Sequence, residues 1–271
     1  MIWEKPLRML WRISRDGRTS TLVGSAHFFR YSFTRRLTAE MRNATSVLFE
    51  GPLDEQSMKR VSEYGLNGAN TPSIVDAISP DAAKKINDRL AHRIAGQAST
   101  GLGLMRQTKQ NFLEMHARGS RPWMAFFTTW SAYVRTRGWK HSTDMEAYHI
   151  ALRLGKPVHF LETIDEQLHA LDDIPFDGIV HYLNQFDLWD QYTDRYVKLF
   201  LRGNLGEMLS SALRFPTRCA SIVDDRDPVL FERMKPCVDE GGALALVGTV
   251  HVAGIMKRFE REGYTIKQDV A

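Results

Sequence analysis

LVGSAH at residues 22–27 and ALVGTVH at residues 245–251 are the two stretches that decide the fold of this chain. Each is a run of apolar residues followed by a glycine, two further residues and a histidine. This order predicts a buried strand that ends at a glycine turn and places the histidine at its carboxyl end. In an open α/β sheet, ligands bind at the edge formed by the carboxyl ends of the strands. We therefore expect His27 and His251 to share one site at that edge.

A G-x-x-H motif is short, and a single histidine at a strand end is more often a hydrogen-bonded structural residue than a ligand. The occurrence of the motif after two separate apolar strands is what favours a functional site. Two imidazoles at one site are able to bind a metal ion or to carry out acid–base chemistry, and the motif leaves both open.

The segments between the two motifs predict further strands. Asp16-Gly17 is a hairpin turn signal because both residues accept positive φ angles, so Leu7–Ile13 and Ser20–Val23 are expected to pair in antiparallel fashion. Two more apolar runs, Ser46–Phe49 and Pro157–Leu161, are each followed directly by a glutamate.

The distribution of these elements predicts the fold class. Both ends of the chain supply strands, whereas the middle, from about residue 55 to residue 136, is mainly helical. We expect an α/β fold whose central mixed β-sheet is built from both chain ends, with the helical middle as a large layer or cap over it. Residues 1–271 would form a single domain with a helical insertion at about 55–140. One or two long helices are expected at 177–213, where a homodimer could pack.

Four candidate site residues follow strands: His27, His251, Glu50 and Glu162. Two imidazoles and one or two carboxylates are the ligands of a catalytic zinc, manganese or cobalt ion, which activates a bound water. Arg226 is a candidate for oxyanion stabilisation, and its alternative role is a surface ion pair with a neighbouring aspartate. The sequence has no H-E-x-x-H helix, Walker loop, dinucleotide fingerprint or G-x-S-x-G motif.

Composition and charge exclude several other classes. The chain is 43% hydrophobic and 25% charged, which is ordinary for a globular protein. The net charge is +4, but the basic residues are scattered and no nucleic-acid motif is present, so we expect no nucleic-acid partner. The densest basic group is Arg30, Arg35 and Arg36, which is either an anion site or a solvated helix start.

The compartment is predicted from three features. The 2 cysteines lack C-x-x-C spacing, which favours a reducing environment. The amino terminus has charges where a signal peptide needs an apolar stretch. Uninterrupted apolar runs of about eighteen residues, as a membrane span requires, do not occur. We expect a cytoplasmic protein without a membrane partner.

At the level of the whole chain, five blocks in the same order resemble the TraB/GumN family, which includes the TIKI proteins. The blocks are Leu10–Ser14 with Thr21–His27, Val47–Glu50, Thr143–Val158 with Leu161–Gln167, Asp225–Asp227, and Val247–Ile255 with Gly263–Ile266. One departure is Asp227, which stands where the family usually has asparagine after the arginine. Another is Ser25, where the family often has threonine.

This resemblance implies an α/β fold shared with erythromycin-esterase and ChaN-like proteins. Because TIKI proteins are metal-dependent peptidases, it implies His27, His251 and Glu50 as metal or catalytic residues, Arg226 as an anion stabiliser, and Glu162 as a supporting residue. We expect a metal-dependent hydrolase that uses a divalent manganese, cobalt or zinc ion; a peptidase is the first expectation, and the substrate is a peptide or a small molecule. The alternatives are a non-catalytic protein that binds metal, haem or another ligand, and a metal-independent esterase like the erythromycin-esterase relatives.

Overall fold

The computed structural model of the chain describes residues 4–97, 111–210 and 214–269. Its centre is a six-stranded mixed β-sheet with the order β4-β3-β5-β2-β1-β6. The strands are β1 (Leu10–Arg15), β2 (Arg18–Ser25), β3 (Ser46–Phe49), β4 (Val158–Phe160), β5 (Ala243–Gly248) and β6 (Thr265–Gln268). Strands from both chain ends therefore lie side by side in one sheet. This confirms the α/β fold expected from the sequence.

The two motif strands are direct neighbours. β2 and β5 run parallel, with Ser25 opposite Gly248. β3 pairs in parallel with β5 on its other side, and β4 pairs in parallel with β3. The carboxyl ends of these four strands open on the same edge of the sheet, so the residues that follow them are brought to one place.

The hairpin expected at Asp16-Gly17 joins β1 to β2. The two residues have φ angles of 52° and 75°, the left-handed region that such a turn requires. Pairing continues to the turn itself, with Arg15 opposite Arg18. Both strands therefore continue up to the turn, whereas the predicted strands Leu7–Ile13 and Ser20–Val23 stop two residues short of it. The reason is that a two-residue turn leaves only its own residues unpaired.

The described residues contain thirteen α-helices, most of them between β3 and β5 in the chain. They are α1 (Thr34–Asn43), α2 (Glu55–Leu66), α3 (Ile74–Ala77), α4 (Pro80–Gln97), α5 (Phe112–His116), α6 (Pro122–Thr136), α7 (Thr143–Arg153), α8 (Ile164–Asp172), α9 (Phe176–Asn184), α10 (Trp189–Arg202), α11 (Leu205–Leu209), α12 (Arg226–Glu240) and α13 (Thr249–Arg261). Within the described ranges, none of these helices has both the length and the apolar character needed to cross a membrane.

The helical run at 177–213 is more divided than predicted. Its described part consists of α9, a short 3-10 turn at Phe186–Leu188, α10 and α11, so the expectation of one or two long helices is wrong. α10 ends where Gly203 takes a left-handed conformation with a φ of 70°. Asn204 then caps α11, because its side chain accepts a hydrogen bond from the backbone N–H of Glu207.

Two clusters of buried apolar side chains hold the layers together. One combines the sheet strands with α1, α7, α12 and α13. The other belongs to the middle helices, where the Trp130 ring lies 5.8 Å from Tyr182 and 5.1 Å from Trp189 between centroids. Tyr196 of α10 packs against both clusters, so α10 joins the helical layer to the sheet layer.

Arg36 of the basic group is engaged within the fold. Its guanidinium lies 3.0 Å from Glu40 on the same helix and donates at 2.8 Å to Asp269, just beyond β6. Arg12 of β1 pairs with the same two carboxylates. Arg36 therefore ties the last strand to α1 rather than serving as a free anion site.

Candidate active site

The four candidate residues that follow strands are brought to the same edge of the sheet. Glu50 comes directly after β3, and Glu162 follows β4 and donates its backbone N–H to the Glu50 carbonyl at 2.7 Å. His27 lies two residues beyond β2. His251 lies in the first turn of α13, not at a strand end as the motif suggested, because Gly248 ends β5 and α13 begins at the next residue.

Arg226 lies at the centre of this edge and is turned inward. Its Nε donates to Glu162 Oε1 at 2.8 Å and its Nη2 to Glu162 Oε2 at 2.6 Å, a two-point pairing of guanidinium with carboxylate. Nη2 also donates to Glu50 Oε2 at 3.1 Å. Burial disfavours the positive charge of Arg226 and so lowers its pKa, but the carboxylates of Glu162 and Glu50 have a larger effect and raise the pKa above its ordinary value. The alternative role as a surface ion pair with a neighbouring aspartate is wrong.

Glu50 is held as a carboxylate from both sides. One oxygen accepts the backbone N–H of Gly248, at the start of α13, and the other accepts from Arg226. Burial raises the pKa of Glu50, but the charges of His251, Arg226 and His27 outweigh it and lower the pKa to about 2. Glu50 is therefore ionised at neutral pH.

His251 is buried with each ring nitrogen facing a different group. Its Nδ1 lies 2.7 Å from Asp227 Oδ1. On the other side of the ring, Nε2 lies 3.4 Å from Arg226 Nη1 and 3.7 Å from Glu50 Oε1. The protonated ring places a positive charge beside Glu50, whereas the neutral ring that donates from Nδ1 to Asp227 keeps Nε2 as a proton acceptor. In its neutral form, His251 thus presents an acceptor nitrogen beside Glu50.

His27 has a similar carboxylate partner but a different environment. The His27 Nδ1 lies 2.9 Å from Asp144 Oδ2. The side chain of His27 is 67% exposed, whereas that of Asp144 is only 8% exposed. The negative charge of Asp144 raises the pKa of His27 to about 9. His27 therefore carries a positive charge at neutral pH and faces the solvent.

The sequence did not point to the two aspartates. Asp144 and Asp227 are each the second residue of a helix, α7 and α12 respectively. A carboxylate in the first turn of a helix is favourable for the helix alone, so its presence there does not distinguish a site residue from an ordinary one.

The side chains as arranged do not fit a three-ligand metal centre. The ligands expected from the sequence were Glu50, His27 and His251, yet the described ranges contain no group of three or more histidine, cysteine, aspartate or glutamate side chains placed to share one ion. Glu50 is instead paired with the guanidinium of Arg226, and a divalent cation next to it would meet a fixed positive charge. The use of manganese, cobalt or zinc stays a prediction.

Comparison with protein families decides the relationship of the chain. Residues 9–268 match the model of the TraB/PrgY/gumN family. The chain belongs to this family. The matched residues include the whole sheet edge described above, and therefore every candidate site residue of this TraB/PrgY/gumN member. Neither the comparison with curated proteins nor the comparison with solved structures found a match.

A second arginine of α12, Arg233, joins this helix to the turn after β4 that carries Glu162. Arg233 donates at 2.7 Å to the carbonyl of Leu161, next to Glu162 in the chain, and pairs with both carboxylate oxygens of Glu166. Glu166 also accepts the backbone N–H of Thr163 in a capping box of α8. These bonds connect the helix that carries Arg226 to the turn that carries Glu162.

We expect this connection to weaken in acid. Arg233 first, and then the Thr163 N–H, lower the pKa of Glu166 to about 2 from an ordinary 4.5. A lowered pKa means that the ion pair stabilises the fold above about pH 4.5 and is lost as the pH falls towards 2. Because both side chains are exposed, screening limits the contribution of the pair to about 0–1 kcal/mol. The stability difference in urea between Glu166→Gln and the unsubstituted protein should be largest at pH 7 and should shrink steadily as the pH falls from about 4.5 towards 2; an equal difference at pH 7 and pH 3 would contradict this assignment.

Proposed function

We propose that this TraB/PrgY/gumN protein is a hydrolase that cleaves peptide bonds with water. The observation that carries the proposal is the arrangement around His251 Nε2, which lies 3.4 Å from Arg226 and 3.7 Å from Glu50. An acceptor nitrogen, a carboxylate and a fixed guanidinium converge there at the carboxyl edge of the sheet. These are the groups needed to remove a proton from water and to stabilise the negative charge that forms on a carbonyl oxygen.

In the first step, a water molecule is oriented between His251 Nε2 and Glu50. His251 Nε2 accepts a proton from the water as its oxygen forms a bond to the carbonyl carbon. The carboxylate of Glu50 stabilises the positive charge that develops on the imidazole, because opposite charges attract strongly in a buried site. The carbonyl oxygen becomes an oxyanion in the same step.

Arg226 stabilises that oxyanion. The side chain is rigid because Glu162 holds two of its nitrogens, so it needs no reorganisation when the charge forms. Its Nη1 faces His251 Nε2, which places a charged donor beside the position of the attacking water. Glu162 thus supports the reaction by positioning Arg226.

In the second step, the bond between carbon and nitrogen breaks. An amine leaves poorly as an anion, so it needs a proton as the bond breaks. His27 is the candidate donor because it lies exposed at the same edge of the sheet and is charged at neutral pH. The products are a carboxylic acid and an amine, and proton exchange with solvent restores His27 and His251.

The test of this proposal combines peptide hydrolysis with metal removal. Purified protein is treated with a chelator, dialysed, and incubated with a mixture of short peptides whose new amino termini are measured by mass spectrometry. We expect cleavage to survive chelation, because none of the steps above uses a metal, and to be lost in Glu50→Gln. Cleavage that disappears with the chelator and returns with manganese, cobalt or zinc would show that the metal-dependent hydrolase expected from the sequence is correct instead.

The same experiment addresses the other two alternatives. Hydrolysis of esters without hydrolysis of any peptide would favour a metal-independent esterase, which uses the same groups on a better leaving group. Binding of a metal, haem or another ligand that is lost in His27→Ala, without hydrolysis of any substrate, would favour a non-catalytic binding protein. A homodimer on the helices of residues 177–213 is a separate proposal, which sedimentation analysis tests directly.

A further inference from the structure

Asp227 is seated directly against the backbone of α13, the helix that carries His251. A side chain at position 254 would occupy the space that its carboxylate fills: a Cβ built on Gly254 overlaps Asp227 Oδ2 and lies 2.8 Å from its carboxyl carbon. No other described glycine has an acidic side chain so close to the place of its missing Cβ. The absence of a side chain at Gly254 is therefore what allows the carboxylate to reach this position.

The carboxylate of Asp227, in this position against Gly254, lies beside the ring of His251. Gly254 is three residues after His251, so the two positions are on the same face of α13, about one helical turn apart. The other carboxylate oxygen of Asp227, Oδ1, lies 2.7 Å from His251 Nδ1. The side chains of Asp227 and His251 are both more than nine-tenths buried, so water does not compete for this contact.

We propose that Gly254 and Asp227 act together as the positioning device for His251: the glycine makes room for the carboxylate, and the carboxylate holds the Nδ1–H and turns Nε2 towards Glu50. This inference rests on the proposed function for its catalytic meaning, but its structural content does not. Aspartate is better suited to this role than asparagine would be. An asparagine amide can either accept from Nδ1–H or, when flipped, donate to a bare Nδ1, so it does not select one tautomer.

The inference predicts a specific pattern of coupling. Gly254→Ala should displace Asp227 and release His251, whereas the same change should have little effect when Asp227 is already alanine. We therefore compare four proteins: the unsubstituted chain, Gly254→Ala, Asp227→Ala, and the double variant. The two changes act through one contact, so their effects on His251 should not add.

NMR of protein labelled selectively with ¹⁵N in its histidine rings shows which ring nitrogen of His251 carries a proton. The unsubstituted protein should show His251 with a protonated Nδ1 and an acceptor Nε2, and the three variants should lose this pattern. His251→Gln assigns the signal. Gly178→Ala, in helix α9, is the matched control, because only one side-chain atom, at 3.9 Å, lies within 4 Å of its new Cβ. Its spectrum should be unchanged.

Kinetics provides the second measurement. Once a substrate is available, Gly254→Ala should lower kcat about 100-fold with little change in KM, because a catalytic group displaced by about 1 Å loses about that much rate. If Gly254→Ala does not fold, the double variant and Asp227→Asn still test the proposal, because neither places a methyl group against a carboxylate. Asp227→Asn should give a mixture of tautomers.

The outcomes separate this inference from the proposed function. An unchanged His251 spectrum in folded Gly254→Ala, or in Asp227→Ala, would overturn the inference whatever the activity. Full additivity of the two substitutions would overturn it as well. Loss of the tautomer pattern in a protein that hydrolyses no substrate would support the positioning role and reject the hydrolase.

Discussion

Replacing Arg226 with methionine should cost more than any other single change at this site. The substitution leaves the carboxylates of Glu162 and Glu50 together without their cation, in side chains that are 2% and 13% exposed. Removing one partner from a buried ion pair costs about 3–5 kcal/mol, because the remaining charge stays buried and unpaired. We expect the free energy of unfolding in urea to fall by this amount and hydrolysis to be lost.

Two further variants separate charge from packing in this prediction. Combining Arg226→Met with Glu162→Gln removes one of the stranded charges and should recover part of the stability without recovering activity. Arg233→Met is the matched control, since it lies on the same helix but its pair with Glu166 is exposed, and such pairs contribute only about 0–1 kcal/mol. Equal destabilisation by Arg226→Met and Arg233→Met would contradict the central role of Arg226.

Replacing His27 with glutamine should produce the second large effect, on catalysis rather than stability. If His27 donates the proton to the leaving amine, peptide hydrolysis should fall about 10²- to 10⁴-fold, the usual range for loss of a general acid. The side chain is 67% exposed, and the amide of glutamine is still able to donate to the buried Asp144 carboxylate, so the fold should lose less stability than in Arg226→Met. A p-nitrophenyl ester whose leaving group departs without a proton should be hydrolysed at a rate reduced less than about tenfold.

The comparison between the two substrates is the decisive measurement. A catalyst that uses His27 only to bind substrate would lose both activities to the same extent. His149→Gln is the control, because this histidine is also exposed but lies on the outer surface of α7. It should leave both rates unchanged. An equal loss on peptide and ester in His27→Gln would remove the assignment of His27 as the acid.

Much of the fold was predictable because its signals are local. The turn at Asp16-Gly17 needs two residues that accept positive φ, and both residues have φ angles in that region. The strands of the two motifs are apolar because they lie in the middle of the sheet. Such features depend on neighbours a few positions away in the chain, so they can be read from the order of residues alone.

The division of residues 177–213 shows where local signals become ambiguous. The apolar spacing there is helical throughout, and only the left-handed conformation of Gly203 ends α10. Glycine permits that conformation without requiring it, since it is also tolerated inside helices. At this position the next residue completes the break, because the side chain of Asn204 caps α11.

The sequence determined that this chain forms an α/β sheet from its two ends and that His27, Glu50, Glu162 and His251 lie at one edge of it. Only the tertiary structure decided which of these groups are in contact and what charge surrounds them. Arg226 is 176 positions from Glu50 and 64 from Glu162 in the chain, yet it pairs with both. The physical reason is that side-chain pairing depends on distances of a few ångströms between elements remote in the chain, which periodicity and turn signals do not specify.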